Sequence, residues 1–593
     1  MDPSSLYHML EDAAKARAST LAYRFKKDGQ WVEWTWAETL AAIRAVARSL
    51  IALGVKRGER VCILSRTRLE WVLCDLGTVS CGGVTVGIYP SNLATDCAYV
   101  VRHADAEIVF VEAAGQLDKI RQVRHDLPRL RHVIVLDGPG DPGEGLLDWT
   151  AFLAAGAQVP ESERVRRGEE LAPDDLASLV YTSGTTGVPK GAMITHGNLL
   201  FVGWSAARSL YLAERFETLL FLPLAHVFAR LMIYCCIPAG VPTTFAEDAS
   251  SLAADLQAVR PQFIASVPRV YEKIYDRVLT AASRAGPVRR ALFHWAVGVG
   301  REASERRQAK APLPLGLRTR LALAQRLVLH KVQAAFGGRL VWAVSGGAPL
   351  NKTIAEFFDA CGVTILEGIG MTENTSFSHV NRYGNNRFGT VGQVAPGVEH
   401  RLAEDGELLT RGPNLMKGYF KDDAATAEAI DADGWLHTGD VAEIDAEGFV
   451  RITDRKKDLI ITAGGKNVAP QRIERILRTS PFISHAVAYG DRRKYITALV
   501  TLDADNVRSW ARGNGLASAS PAQLVADPRI RELIGREIEE RNQELASFET
   551  VKRFHILPGD LSIETGDLTP TLKVKRRVVY EKYRAALDAL YAD

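Results

Sequence analysis

The sequence predicts an α/β protein: a large N-terminal domain of parallel and mixed sheets flanked by helices, then a smaller α+β domain. Three observations predict this. Short β-branched runs alternate with helical patterns through the first two thirds of the chain. Near residue 454 the texture changes, with charges packed between two strand-like runs. A length of 593 residues is also more than one hydrophobic core serves.

In chain order, "RVCILS" (60–65) reads as a buried strand, 68–80 as a helix and "VTVGI" (84–88) as the next strand, a βαβ rhythm. It continues through "IVFVE" (108–112), "HVIVLD" (132–137), "TLLFLP" (218–223), "QFIASVP" (262–268) and "RLVWAVSGG" (339–347). Such a series builds parallel sheets covered by helices on both faces. Beyond 454, "HAVAYG", "YITALVTLD" and a helical stretch around 528–546 make up the smaller pattern. The expected division is 1–453, a connecting segment at 454–459, and 460–593.

Composition narrows the class. With 47% apolar and 24% charged residues the chain is expected to be globular and soluble, and a net charge of +3 gives no general reason to expect a nucleic-acid partner. Seven cysteines, none in a CxxC pair, fit buried reduced thiols of a cytoplasmic protein. The N-terminus lacks the apolar core of a secretory signal, and no run reaches the roughly 18 apolar residues of a membrane span. Membrane contact is therefore expected to be peripheral. One segment looks inserted: 277–335 carries 12 Lys or Arg against 2 acids at helical spacing. It reads either as a solvated basic hairpin or as a face for anionic lipid or a phosphorylated substrate. Oligomeric state is not legible.

The stretch "YTSGTTGVPKGA" (181–192) follows the apolar run "LASLVY". Glycines at 184, 187 and 191 let successive backbone amides converge, and Thr182, Ser183, Thr185 and Thr186 add hydroxyl donors. Lys190 adds a full positive charge, so a polyphosphate suits this loop better than a plain linker role. It is not the GxxxxGK[ST] loop, because Lys190 follows proline and precedes glycine.

This stretch closely resembles the phosphate loop of the adenylate-forming superfamily. Further matches come in that family's order: "LPLAHVFAR" (222–230), "SGGAPL" (345–350), "EGIGMTE" (367–373), "GWLHTGD" (434–440), "DRKKDLIITAGGKNVAP" (454–470) and "LTPTLKVKRR" (568–577). Within the superfamily, the helical insert, "FIASVPRVYEKIY" and "LTPTLKVKRR" look most like long-chain fatty acyl-CoA synthetases.

The resemblance implies a two-step ligase that uses ATP, Mg2+ and coenzyme A to convert a long-chain fatty acid to acyl-AMP and then to a thioester. It implies that Thr182, Ser183, Gly184, Thr185, Thr186, Gly187 and Lys190 hold the β- and γ-phosphates, and that Thr372 contacts the α-phosphate. Thr182 and Glu373 are implied as magnesium ligands; Gly347, Ala348, Glu367 and Gly368 as the adenine border; Asp440 and Arg455 as the ribose grip. Lys573 is implied as the catalytic lysine of the first step, His226 as a neighbour of the acyl carboxylate, and Lys457 as the hinge of a mobile C-terminal domain. After rotation, Gly464 and Gly465 would pass the pantetheine arm. One departure is Ile369, where relatives commonly carry an aromatic that stacks on adenine. Acyl-pocket walls are expected in 200–235 and 263–275. Two other readings stand beside this one: an acyl-AMP ligase that hands its product to a carrier protein, and a binding protein that keeps the nucleotide site without turnover.

Overall fold

The computed structural model describes residues 3–141, 145–182, 188–248, 250–516, 520–569 and 571–592. The strand runs read from the sequence all appear, and they assemble into two large sheets. A seven-stranded sheet takes Arg60–Leu64, Val84–Ile88, Ile108–Val111 and His132–Val135 as parallel neighbours and is closed at one edge by the antiparallel pair Leu176–Thr182 and Lys190–Thr195. A nine-stranded sheet runs parallel through Thr218–Leu220, Phe263–Ser266, Trp342–Ser345 and Thr364–Ile369.

Helices Leu69–Ser80 and Val227–Ala239 are apolar nearly all round, as expected of helices enclosed in a core. The largest buried cluster explains why: it joins Val61 and Ile63 of one sheet to Phe263 and Val344 of the other through Trp71, Val79, Leu231 and Ile233 of these helices. A four-stranded antiparallel sheet spanning Glu399–Arg455 follows, and then Ile483–Tyr489, Ile496–Leu502 and Val551–Ile556 form a three-stranded sheet packed on helix Pro528–Asn542.

The inserted segment is helical as expected: Pro268–Ser283, Pro287–Gln308, Leu315–Ala324, a π-helical turn Gln325–Leu329, and His330–Ala334. All seven cysteines are buried and unpaired. Among the described residues no helix is long and apolar enough to cross a membrane.

Candidate active site

The segments that matched motifs converge where parallel strands of the nine-stranded sheet end. Ser345 to Gly347 leave the C-terminal end of Trp342–Ser345, and Gly368 to Gly370 that of its neighbour Thr364–Ile369. Open α/β sheets bind ligands at this end of their strands. Together with His226, Phe228, Leu231, Met232, Ala206, Leu210, Phe377 and His379 they line a cavity of about 520 Å³, its open mouth included. Gly347 has φ +81°, which only glycine adopts without strain, and a Cβ at Gly346 would press on the Phe228 ring at 3.2 Å. Residues of the segment 200–235 line this cavity, and Val267 of the segment 263–275 lies 3.8 Å from a Cβ built at Gly347. Helix Pro268–Ser283 stands behind it, its Tyr271 hydroxyl donating to the Val344 carbonyl at 2.8 Å.

His226 caps the helix it precedes: its Nδ1 accepts the Phe228 amide hydrogen at 3.1 Å. Nδ1 being an acceptor, the neutral ring carries its hydrogen on Nε2. Burial, and then the charge of Lys573, push the His226 pKa down to about 4, so the ring is neutral near pH 7. It offers one N–H donor to a bound anion. His226→Asn keeps a residue able to cap the helix and loses that donor. A hydrogen bond to a charged group is worth about 1.5–3 kcal/mol, so where that donor meets an acyl carboxylate, as the resemblance implies, kcat/KM for the acid should fall roughly ten- to a hundredfold, mostly through KM. Steady-state kinetics on the acid substrate check this.

Lys573 sits in a tight turn in which Thr569 N–H donates to the Lys573 carbonyl at 2.8 Å and the Lys573 N–H to Thr569 Oγ1 at 3.1 Å. The preceding Leu572 is held at φ +61°, a strained conformation of the kind found where backbone is fixed for a purpose. Arg576, by contrast, pairs with Glu474 of helix Pro470–Leu477 and anchors the segment. Lys573 is exposed to solvent on one side. Desolvation by the neighbouring protein, and then Arg455, lower its pKa, while Asp440 and Glu373 work in the opposite sense. Asp440 and Arg455 face each other across paired strands, 3.3 Å apart. Burial raises the Asp440 pKa, opposed by Arg455 and Lys573. Lys573 thus lies within electrostatic reach of His226, Glu373, Asp440 and Arg455, and of these His226 lines the cavity.

A link absent from the sequence reading is Tyr419. Its hydroxyl donates to Glu373 Oε1 at 2.6 Å, and the Lys190 ammonium lies over its ring, 5.2 Å from the centroid. Lys190 also lies 3.7 Å from Asp422. The phosphate-loop lysine and the expected metal carboxylate are therefore joined through one aromatic side chain. "GYF" at 418–420 gave no warning, because it belongs to no recognised spacing.

Ser183, Gly184, Thr185, Thr186 and Gly187 lie outside the described residues; their flanks Thr182 and Lys190 are register partners of a strand pair. Thr195 caps the helix that follows, accepting from the Asn198 amide at 3.1 Å, but strand Lys190–Thr195 stands between loop and helix. Glu367 is buried, accepts the Leu350 amide hydrogen at 3.0 Å, and is pushed up to about 7 by that burial. Ala348 is exposed, and Thr372 begins a 3-10 turn that contains Glu373. Ile369 packs beside Val391, Leu408 and Val450. Lys457 is exposed, whereas its neighbour Lys456 reaches Glu407 at 3.0 Å. Gly464 and Gly465 lie in an exposed turn, with nothing within 4 Å of a Cβ built at Gly465.

The cavity at the strand ends is lined by the glycine turns 345–347 and 368–370 and by His226. The chain belongs to the AMP-binding enzyme family, which matches residues 10–420, while the family's C-terminal domain matches 457–593. It is 39% identical to the long-chain-fatty-acid–CoA ligase FadD15 of Mycobacterium tuberculosis, over 95% of this chain and 93% of that one. It is 31% identical to the human long-chain-fatty-acid–CoA ligase ACSBG2, over 99% and 92%. Its fold is similar to that of the A domain of a carboxylic acid reductase from Segniliparus rugosus, solved with AMP and a co-purified carboxylic acid, with a TM-score of 0.76 at 21% identity over 99% and 94% of the two chains.

Proposed function

We propose that this enzyme activates a long-chain fatty acid with ATP and transfers the acyl group to coenzyme A. The observation that carries this reading is that Lys573 lies within electrostatic reach of the Asp440–Arg455 pair, of Glu373 and of His226, which lines an apolar cavity. The names of the relatives supply the acyl class.

In the first step a carboxylate oxygen bonds to the α-phosphorus and the bond to pyrophosphate breaks. Both reactants are anions, so cations placed in advance lower the barrier. Lys573 is assigned to the α-phosphate and acyl carboxylate, and the His226 Nε2 hydrogen to the carboxylate. Asp440 and Arg455 are assigned to the ribose, Gly347, Ala348, Glu367 and Gly368 to the adenine border, and Thr372 to the α-phosphate. The 182–187 loop and Lys190 hold the β- and γ-phosphates.

Glu373, with the Thr182 hydroxyl, fits Mg2+. This cation commonly takes one or two protein oxygens and leaves its other positions to water and phosphate, and among the described residues no larger cluster of metal-binding side chains is present. Bound there, the ion would offset phosphate charge. In the second step the coenzyme A thiol, losing its proton, bonds to the acyl carbon as AMP departs. Rotation of the C-terminal domain about 454–459, at Lys457, would withdraw Lys573 and bring Gly464 and Gly465 to the cleft.

Contacts across the two matched regions hold the position in which Lys573 lies within electrostatic reach of His226. Arg478 donates to Glu272 Oε2 at 2.7 Å, and Arg269, 3.5 Å from the same carboxylate, donates to Ser484 Oγ at 3.3 Å. Glu272→Arg should slow adenylation roughly tenfold while sparing thioester formation from supplied acyl-AMP, and adding Arg478→Glu should restore it, since coupled charges interact by about 0.5–3 kcal/mol. Separate assays of the two steps check both arms.

The test of function is pyrophosphate release across acids from acetate to oleate, with and without coenzyme A. Fastest release with long chains and a thioester product is expected. A preference for acetate, aryl acids or amino acids would overturn the substrate class, and release without a thioester would point to a carrier-protein acceptor.

A further inference from the structure

The inserted helices present an apolar patch to solvent inside a field of one charge sign. On the segment formed by Leu315–Ala324, Gln325–Leu329 and His330–Ala334, one side is fixed in the core: Leu317, Ala324, Leu329 and Val332 are buried with Phe336 and Phe358. The opposite side leaves Leu315 75%, Leu323 50% and Leu327 42% exposed. Arg318, Arg320, Arg326 and Lys331 are exposed on the same segment. Arg320 is 3.4 Å from Glu302; no ion pair is formed by Arg318, Arg326 or Lys331 among the described residues. Between 306 and 355 the chain has nine Lys or Arg and no Asp or Glu.

Leucines in water surrounded by arginine and lysine are poorly explained as plain surface, since exposed apolar patches of this kind mark interaction sites. A second copy of the chain is a poor occupant, because its matching face would bring cations against cations. A nucleic acid would satisfy the arginines and leave the leucines in water. An anionic bilayer answers both features, its headgroups meeting the cations while the leucines enter the boundary of the acyl chains.

We propose that the outer face of residues 315–331 is a docking surface for membranes containing anionic phospholipid. The helices lie flat on the bilayer, held by Leu315, Leu323 and Leu327 and steered by Arg318, Arg326 and Lys331. This surface is separate from the catalytic cleft, and its occupancy does not depend on which acid the cleft activates.

Co-sedimentation of the full chain with vesicles tests this. Binding to vesicles of equal parts phosphatidylglycerol and phosphatidylcholine is expected to exceed that to pure phosphatidylcholine by about tenfold or more, and to weaken as salt is raised. Leu323→Ser with Leu327→Ser, and separately Arg318→Gln with Arg326→Gln, should each cut binding to the anionic vesicles about tenfold while leaving turnover of a short water-soluble acid unchanged. Equal sedimentation with both vesicle types would overturn the proposal. So would unchanged binding by the leucine variant alongside loss by the arginine variant, which would make the face a site for a soluble polyanion or an acidic protein. Circular dichroism melts of both variants confirm that these exposed substitutions leave the fold intact, and Leu327→Ser alone provides a milder variant.

Discussion

Lys573→Ala is expected to lower the rate of acyl-AMP formation by about a hundredfold to a thousandfold, the range found when one pre-placed donor to developing charge is removed. Thioester formation from supplied acyl-AMP should be nearly unaffected. The asymmetry follows from where the structure puts the ammonium: within electrostatic reach of Asp440 and Glu373, and close enough to His226 to lower that ring's pKa. Two anions must be brought together before the first bond forms, and Lys573 supplies positive charge at that place. Desolvation, with Arg455, lowers its pKa, so its charge is lost on raising pH through a value below the ordinary lysine value of 10.5. The alkaline limb of kcat/KM for the first step should accordingly fall below that value and disappear in the alanine variant. Equal loss of both half-reactions would reject the role, pointing instead to general disruption of the C-terminal segment.

Breaking the ion pair of Asp75 and Arg230 is expected to have the largest effect on stability. The pair is almost completely shielded from water, with Arg230 Nη2 2.8 Å from Asp75 Oδ1. The Tyr234 hydroxyl donates to Asp75 Oδ2 at 2.7 Å, and Arg230 also donates to Ser178 Oγ. Three elements meet here: helix Leu69–Ser80, helix Val227–Ala239, and the strand Leu176–Thr182 that leads to the phosphate loop. Arg230→Met leaves a buried carboxylate without its counter-charge, a change that costs about 3–5 kcal/mol. Adding Asp75→Leu should recover much of that loss, because a buried pair replaced by apolar groups is often near neutral. Urea denaturation of the four proteins in the cycle measures it. The pair also fixes the helix that His226 caps relative to the phosphate-loop strand, so Arg230→Met should raise KM for acid and ATP together.

The strands were legible because their β-branched runs are short and buried on both faces, a pattern that survives without knowledge of partners. The loop at 182–190 stood out as a composition of glycine, hydroxyls and lysine, and its centre lies outside the described residues. Its setting was less legible: the strand Lys190–Thr195 after the loop exists because it pairs with Leu176–Thr182. Tyr419, Glu272 and the Asp75–Arg230 pair were hidden for one reason. Each acts through a partner far away in sequence, and side-chain pairing at that range leaves no local periodicity. Arg230 lay inside a matched motif, yet its place in a buried network is visible only once Asp75, Ser178 and Tyr234 are brought to it. Tyr271 in the expected wall segment 263–275 is tied by its hydroxyl to the Val344 carbonyl of the sheet, and Val267 of the same segment comes close to Gly347. Lys573 was legible only by its register within a motif, and the turn with Thr569 that holds its backbone was not.

Transfer of oxygen-18 from a labelled fatty acid tests the carboxylate-to-phosphorus step most directly. With palmitic acid labelled in both carboxyl oxygens, ATP, magnesium and coenzyme A, mass spectrometry should find one labelled oxygen in each AMP and none in pyrophosphate. Unlabelled AMP, or ADP and phosphate as products, would contradict the account.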